Sequence, residues 1–238
     1  MRAMTGLLPA VICFLGCGTG HKDCVRGTGE VMAREIPVAM LNAIIVTGST
    51  DVTIVRGDTQ RVEVIAQPEL IGLVKTKVDN GVWEITTTEC HISDREFSVR
   101  LTVPMLNSVI VRGSGDVRSE EVFNTGKTHL EVSGSGNIAV DTLHEGLLEI
   151  RNAGSGDILI GGGECRRMDV RLSGSGGVQA GELCATNTKA DLSGAGDLVI
   201  DVLDSLTADL SGSGDLRYRG RPVVISNTVS SGKLIAMP

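Results

Sequence analysis

The sequence predicts an all-β fold: a parallel β-helix-like solenoid with turns of about 20 residues, each bent at a Ser-Gly-Ser-Gly-Asp corner. Three observations predict it. First, one phrase recurs as "GSGDV" at 113–117, "GSGNI" at 134–138, "GSGDI" at 154–158, "GSGGV" at 174–178, "GAGDL" at 194–198 and "GSGDL" at 212–216, with "SSGKL" at 230–234 in phase. The steps from Gly113 are 21, 20, 20, 20, 18 and 18 residues, and a fixed period of this length marks a repeat architecture. Second, the residues flanking each corner alternate apolar and polar, the period of a strand. Third, the chain has 31 glycines in 238 residues but only 2% aromatics, so its apolar bulk is Val, Ile, Leu and Ala, which fill a narrow sheet-walled interior. An antiparallel sandwich has no need for one corner every twentieth residue. Stacked turns do, because equivalent corners lie ~4.8 Å apart, and about eight or nine turns would make a rod of ~40 Å.

The N-terminal stretch "MRAMTGLLPAVICFLGCGTG" has an early Arg2, an apolar run from Leu7 to Gly16, then Cys17. The run is too short to span a bilayer and reads as a signal-peptide core. "FLGC" at 14–17 resembles the lipobox of bacterial lipoproteins, with Phe14 in place of the usual leucine. That resemblance implies cleavage after Gly16 and lipid on the Cys17 thiol; Cys13 fits worse because Ile12 is large for a cleavage site. Residues 1–16 are thus read as a lipoprotein signal peptide, 17–24 as a tether, and 25–238 as one domain, with irregular turns over 25–110 and regular repeats over 111–238. The expected location is the cell envelope, on an outer-membrane anchor facing the periplasm or the cell surface.

Within 25–110, "GTGEV" (27–31) and "GSTDV" (48–52) read as looser corners, and "AIIVTGSTDVTIVRGD" (43–58) as a longer repeat unit. Asn80-Gly81 between alternating runs predicts a hairpin. Trp83, just after it, is read as a packing anchor, and Pro104 fits only a strand end or edge. The 70–100 region is the candidate interaction surface of this half, together with the outward polar columns of the regular repeats.

"LEVSGSGNIAV" (130–140) displays the regular unit. Leu130, Val132, Ile138 and Val140 are predicted to face inward, and Glu131 and Ala139 outward. The same inward columns hold Val170, Leu172, Ala190, Leu192, Leu198, Ile200, Ala208, Leu210 and Leu216, and Tyr218 is read as inward too. The structural corners are Gly113, Gly115, Gly134, Gly136, Gly154, Gly156, Gly174, Gly176, Gly194, Gly196, Gly212 and Gly214, where glycine permits a sharp bend or a positive φ. "IRNAGSG" (150–156) is read as carrying a bulge of two extra residues. Stacking would place Asp116, Asn137, Asp157, Gly177, Asp197, Asp215 and Lys233 in one column. Like charges there repel by ~1 kcal/mol even in water, which Asn137, Gly177 and Lys233 relieve.

Little of this composition points to catalysis. The net charge is −7 without a basic cluster, which argues against nucleic acid. No CxxC pair stands for a zinc or redox motif. Cys165 and Cys184 lie about one repeat apart, but their offsets from the preceding corner differ by one, so they are read as two small buried thiols rather than a disulfide. His21, His91, His129 and His144 lack metal-ligand spacing and are read as solvated surface residues. "TGKT" (125–128) lacks the earlier glycine of a phosphate loop, since position 121 is Glu121. Asp197 and Asp215 are the corner carboxylates that a calcium ion would select; capping of backbone N–H groups is the favoured reading. No cofactor is expected.

Taken together, "VRGTGEV" (25–31), "IIVTGSTDVTIVRGD" (44–58), "NGVWEI" (80–85), "LTVPMLNSVIVRGSGDV" (101–117) and the "LSGSGDL" repeats resemble the "head GIN" domain of auto-transporter adhesins, an exported bacterial family. The resemblance spans nearly the whole mature chain. It implies a β-solenoid, export with a frequent lipid anchor, and no assigned enzymatic activity. Thr50, Gly177, Ala195 and Lys233 depart from the corner pattern and argue against one ligand shared by every corner. The function expected is a non-enzymatic, membrane-anchored adhesion, interaction or structural element. Its partners would be the membrane through Cys17, a protein or surface glycan, and further copies paired edge to edge. The alternative is a carbohydrate-binding or polysaccharide-processing β-helix protein, which would need a groove with converging polar groups.

Overall fold

The computed structural model describes residues 24–238 apart from 93–95, 121, 122, 124 and 230. The signal segment, Cys17 and His21 lie outside the described residues. In chain order the elements are β1 (Val25–Arg26), β2 (Met32–Glu35), β3 (Ala43–Val46), β4 (Asp51–Arg56), β5 (Arg61–Ala66), α1 (Pro68–Ile71), β6 (Val78–Asp79), β7 (Val82–Ile85), β8 (His91–Ile92) and β9 (Ser98–Val103). There follow β10 (Ser108–Val111), β11 (Val117–Ser119), β12 (Lys127–Val132), β13 (Ile138–Val140), β14 (Leu143–Asn152), β15 (Ile158–Ile160) and β16 (Gly163–Leu172). The last are β17 (Val178–Leu192), β18 (Leu198–Leu210), β19 (Leu216–Arg219), β20 (Val223–Thr228) and β21 (Leu234–Ala236).

Parallel pairing runs up the rod in two walls that meet at the Ser-Gly corner. One wall is β10, β12, β14, β16, β17, β18 and β20; the other is β11, β13, β15, β17, β18, β19 and β21. Register keeps like on like: Leu130 pairs with Ile150, Val170 with Ala190, and Ala190 with Ala208. Every inward residue named from the sequence is buried except Tyr218, which is half-buried near the open upper end. The solenoid makes about six turns. That count is of the regular repeats, and two further parallel layers from the front segment lie beneath them in the same stack.

Below β10–β11 lies the layer β3–β4, and below that the layer β7–β9, so the stack order departs from the chain order. The chain lays down β3–β4, crosses beneath to form β7–β9, and returns above to β10–β11. Between these passes, β5 pairs antiparallel with β9, β2 antiparallel with β5, and β6 antiparallel with β7. The β6–β7 hairpin turns at Asn80 (φ 52°) and Gly81 (φ 79°), as Asn-Gly requires. Trp83 is fully buried and donates from Nε1 to the Lys75 carbonyl at 2.8 Å. Pro104 follows the last residue of β9.

Three local readings are corrected. "GTGEV" is not a corner of the stack: β1 pairs with β8 in a separate two-stranded sheet, and Gly27 lies against Gln67 and Leu70 beside α1. "IRNAGSG" has no bulge, because Val132, Asn152 and Leu172 pair in unbroken register; the register shifts lie instead between Ala180/Cys184 and Ala185/Asn187, where the turn shortens to 18 residues. The corner glycines are not selected for positive φ. At Gly134, Gly154, Gly174, Gly194 and Gly212 an added Cβ would stand 2.0, 2.1, 2.1, 2.0 and 2.0 Å from the carbonyl oxygen of the glycine one turn below. Glycine is needed because stacked corner backbones touch, a contact that leaves no room for a methyl group.

Candidate functional surfaces

The corner aspartates form a ladder of hydrogen bonds to backbone. Asp51 Oδ1 accepts from the Asp116 N–H at 2.9 Å, Asp116 Oδ1 from Asn137 at 2.9 Å, Asn137 Oδ1 from Asp157 at 2.7 Å, and Asp157 Oδ1 from Gly177 at 2.7 Å. After the gap at Gly177 the ladder resumes, with Asp197 Oδ1 accepting from Asp215 at 2.8 Å and Asp215 Oδ1 from Lys233 at 2.9 Å. A carboxylate or amide oxygen at this position therefore ties each turn to the next. Asn137 serves as well as Asp, and its Nδ2 also donates to Asp116 at 2.8 Å.

The outer oxygens of Asp197 and Asp215, the pair singled out for calcium, are both taken by Arg217, at 2.8 and 3.0 Å. The hydrogen bond from Arg217 is the main reason the Asp197 carboxyl sits below its usual range; the Asp215 backbone N–H acts in the same direction. Arg217 lies two residues beyond Asp215 on the outward side of a strand, a spacing visible in the sequence but not used to assign it.

The wall containing β12, β14, β16 and β17 presents alternating charges outward. Lys127 pairs with Glu149 at 3.0 Å and Arg167 with Asp169 at 2.9 Å, while Arg171 stands 3.7 Å from Asp191. His129 departs from the solvated reading, since its ring is half-buried between Glu131 at 3.1 Å and Glu149 at 3.8 Å. His144 lies 3.8 Å from Glu164; among the described residues no His, Cys, Asp and Glu group has the arrangement of a metal centre.

A shallow cleft on the third side of the rod is lined by Glu145, Cys165, Cys184, Glu164, Arg166 and Leu203 among others. Glu145 was not anticipated. It is buried, and its Oε1 accepts from the Thr125 N–H at 3.0 Å and from Thr128 Oγ1 at 2.8 Å, closing the turn below. Cys165 and Cys184 are unbridged, as read from their offset. Cys165 is buried, and that burial pushes its thiol pKa up to about 12. Cys184 is only half-buried, which corrects the expectation of two buried thiols.

Asn152 is a second unanticipated polar residue, sitting in the inward column between Val132 and Leu172. Its Nδ2 donates to the carbonyls of Gly156 at 2.8 Å and Gly177 at 3.2 Å, and its Oδ1 accepts from the Gly154 N–H at 3.2 Å. The Cys24–Cys90 disulfide, across a sequence separation of 66, fastens the start of the described chain beside β8. Cys24 thus belongs to the folded body rather than to a tether.

A family model described as "Putative auto-transporter adhesin, head GIN domain" matches residues 41–222. The chain belongs to this family. The description is that of an exported or surface protein. Solved structures share the fold. A "putative adhesin" from Bacteroides fragilis has a TM-score of 0.83 at 20% identity over 90% of this chain and 100% of that one. A "putative adhesin" from Parabacteroides distasonis has a TM-score of 0.71 at 25% identity, covering 90% and 100%. A "putative lipid binding protein" from the same organism has a TM-score of 0.73 at 19% identity, covering 91% and 100%. No curated protein matches the chain.

Proposed function

We propose that this family member is a lipid-anchored envelope protein that works by presenting a stiff β-rod to a partner rather than by catalysis. The observation that carries this reading is the fate of the repeat's polar groups. The corner carboxylates face the backbone N–H groups of the next turn, and Arg217 neutralises the Asp197–Asp215 pair. The repeated phrase is therefore a means of stacking, and what it builds is length and surface. The large rings point the same way: Trp83 and Phe123 are buried in packing rather than laid out as platforms on which sugars would stack. Flat walls of alternating charge suit a broad, wet contact with protein or glycan.

The anchor is Cys17. With Cys24 covalently tied to the end that holds β7 and β9, seven residues lead from the lipid to the rod, a reach of at most ~25 Å. Mass spectrometry of the protein from its native membrane tests this, compared with Cys17→Ser and combined with protease accessibility on intact cells. A diacylglyceryl-modified Cys17 on a protease-accessible chain is the expected result. An unmodified chain that washes off the membrane would overturn the anchor.

A further inference from the structure

The two ends of the rod differ. At the lower end β6 covers the edge of β7, β5 covers β9, and β2 covers β5, all antiparallel, with β1, β8 and the disulfide beside them. At the upper end β20 pairs only with β18, and β21 only with β19; among the described residues no strand lies beyond them. An open edge presents a row of backbone N–H and C=O groups ready for another strand, and natural sheets usually guard such edges with charge, proline or a bulge. β20, Val223–Thr228, carries no charged side chain. Further down the same wall the outward positions do, with Lys127, Glu149, Arg167, Asp169, Lys189 and Asp191, while directly beneath β20 stand Ser205, Thr207 and Asp209. On β20 that wall ends in Val223 and Ile225, which are 71% and 67% exposed.

We propose that this edge docks a second copy of the chain, β20 against β20 in antiparallel pairing about a two-fold axis. Three features select this occupant. An uncharged edge offers a charged partner nothing, but its hydrogen-bonding row complements itself when reversed. Head-to-tail stacking is disfavoured, because the outermost strand of the opposite end, β2, runs antiparallel to β5 and carries Arg34 and Glu35 on its free edge. The interior also stops incompletely at this end: Tyr218, Val224 and Leu234 are only partly buried against the core, and a second copy would complete their cover. The same layer limits the strength of pairing. Ser226 and Thr228 occupy the inward columns of Ala208 and Leu210, so the end is not an apolar face that must stay covered. A six-residue edge also buries less than the ~1,000 Å² typical of a stable interface. The pairing is therefore weak and reversible. Where the lower end is anchored, as the proposed Cys17 lipid would do, the open end points away from the membrane, and many weak head-to-head contacts between facing membranes add up to adhesion.

Sedimentation equilibrium of the chain from residue 18, up to ~0.5 mM, tests the pairing without any anchor. The expected result is a monomer–dimer equilibrium that does not extend to larger species. Val223→Lys/Ile225→Lys should weaken it at least tenfold with an unchanged circular dichroism spectrum, and Leu159→Lys, an exposed apolar residue on another wall, should leave it intact. A monomer at every concentration, a dimer indifferent to the two lysines, or open-ended association would each overturn the proposal. Aggregation of phosphatidylcholine vesicles carrying the lipidated chain, with flotation to report attachment, then reads the anchor separately. Failure to float rejects the anchor while the sedimentation result stands.

Discussion

Stacked glycines set the tightest constraint at the scale of the residue. In most proteins a glycine in a turn is chosen for φ, and here Gly29, at φ 78° with open space around its added Cβ, is of that kind. Gly134 is of the other kind, with an added Cβ only 2.0 Å from the Gly113 carbonyl oxygen of the turn below. Neither backbone can withdraw without breaking the bonds that hold the corners together, among them Ser135 N–H to Gly113 O at 2.9 Å. Gly134→Ala should therefore cost ~3 kcal/mol, the upper range for forcing a methyl into a packed interior. Gly29→Ala should cost ~1 kcal/mol, the strain of a left-handed alanine. Urea midpoints of the two variants measure the difference, and equal shifts would refute the close-approach explanation. The one corner that lacks its second glycine fits the same rule. Thr50 lies in the β3–β4 layer, above β7–β9, and an added Cβ at the neighbouring Gly48 meets nothing within 4 Å.

Among the elements, the lower end is the exception to the repeat and owes its stability to different devices. It relies on antiparallel covers, on Trp83 and on a covalent link. A disulfide closing a loop of this length contributes ~4 kcal/mol in the chain-entropy account. The paired strands it joins, β1 and β8, are only two residues each. Cys24→Ser with Cys90→Ser should therefore release these strands and leave the upper turns intact. Hydrogen exchange reads this directly: amides of 24–31 and 89–92 should exchange at least tenfold faster, and those of β16–β18 should not change. Protection lost throughout the rod would mean that the latch holds the whole fold. The lower end is also where the sequence was least legible. The Asn80-Gly81 hairpin and the strand stop at Pro104 could be read because each is a local backbone rule. The crossing that places β7–β9 beneath β3–β4 could not, because no local signal records which earlier strand a later one will pair with. Asn152 was missed for a related reason. Period-two reading treats a polar residue at an inward position as an irregularity, and the carbonyls that satisfy it belong to two different corners.

For the whole molecule, the regular half is a one-dimensional stack in which each turn meets only its neighbours. That is why most of its registers could be read from spacing: one unit, solved once, applies at every level except at the shifts near Ala180/Cys184 and Ala185/Asn187. Such a rod should tolerate losing a whole turn and not half of one. Residues 174–193 form a complete 20-residue period. Deleting them joins Ser173 to Gly194, sets Gly194 above Gly154, and keeps every inward column on its wall. It also removes the one corner without a side chain. Gly177 has no oxygen to offer Asp197, and after the deletion Asp157, which now bonds the Gly177 N–H at 2.7 Å, would face the Asp197 N–H instead. The shortened chain should fold with an unchanged β-sheet circular dichroism spectrum and a cooperative melt, at somewhat lower stability because one layer of core is gone. Deleting 174–183 alone would place corner against mid-wall, and that chain should fail to fold. If both deletions fold equally well, or both fail, the turns are not interchangeable units and the corner ladder is not what sets their register.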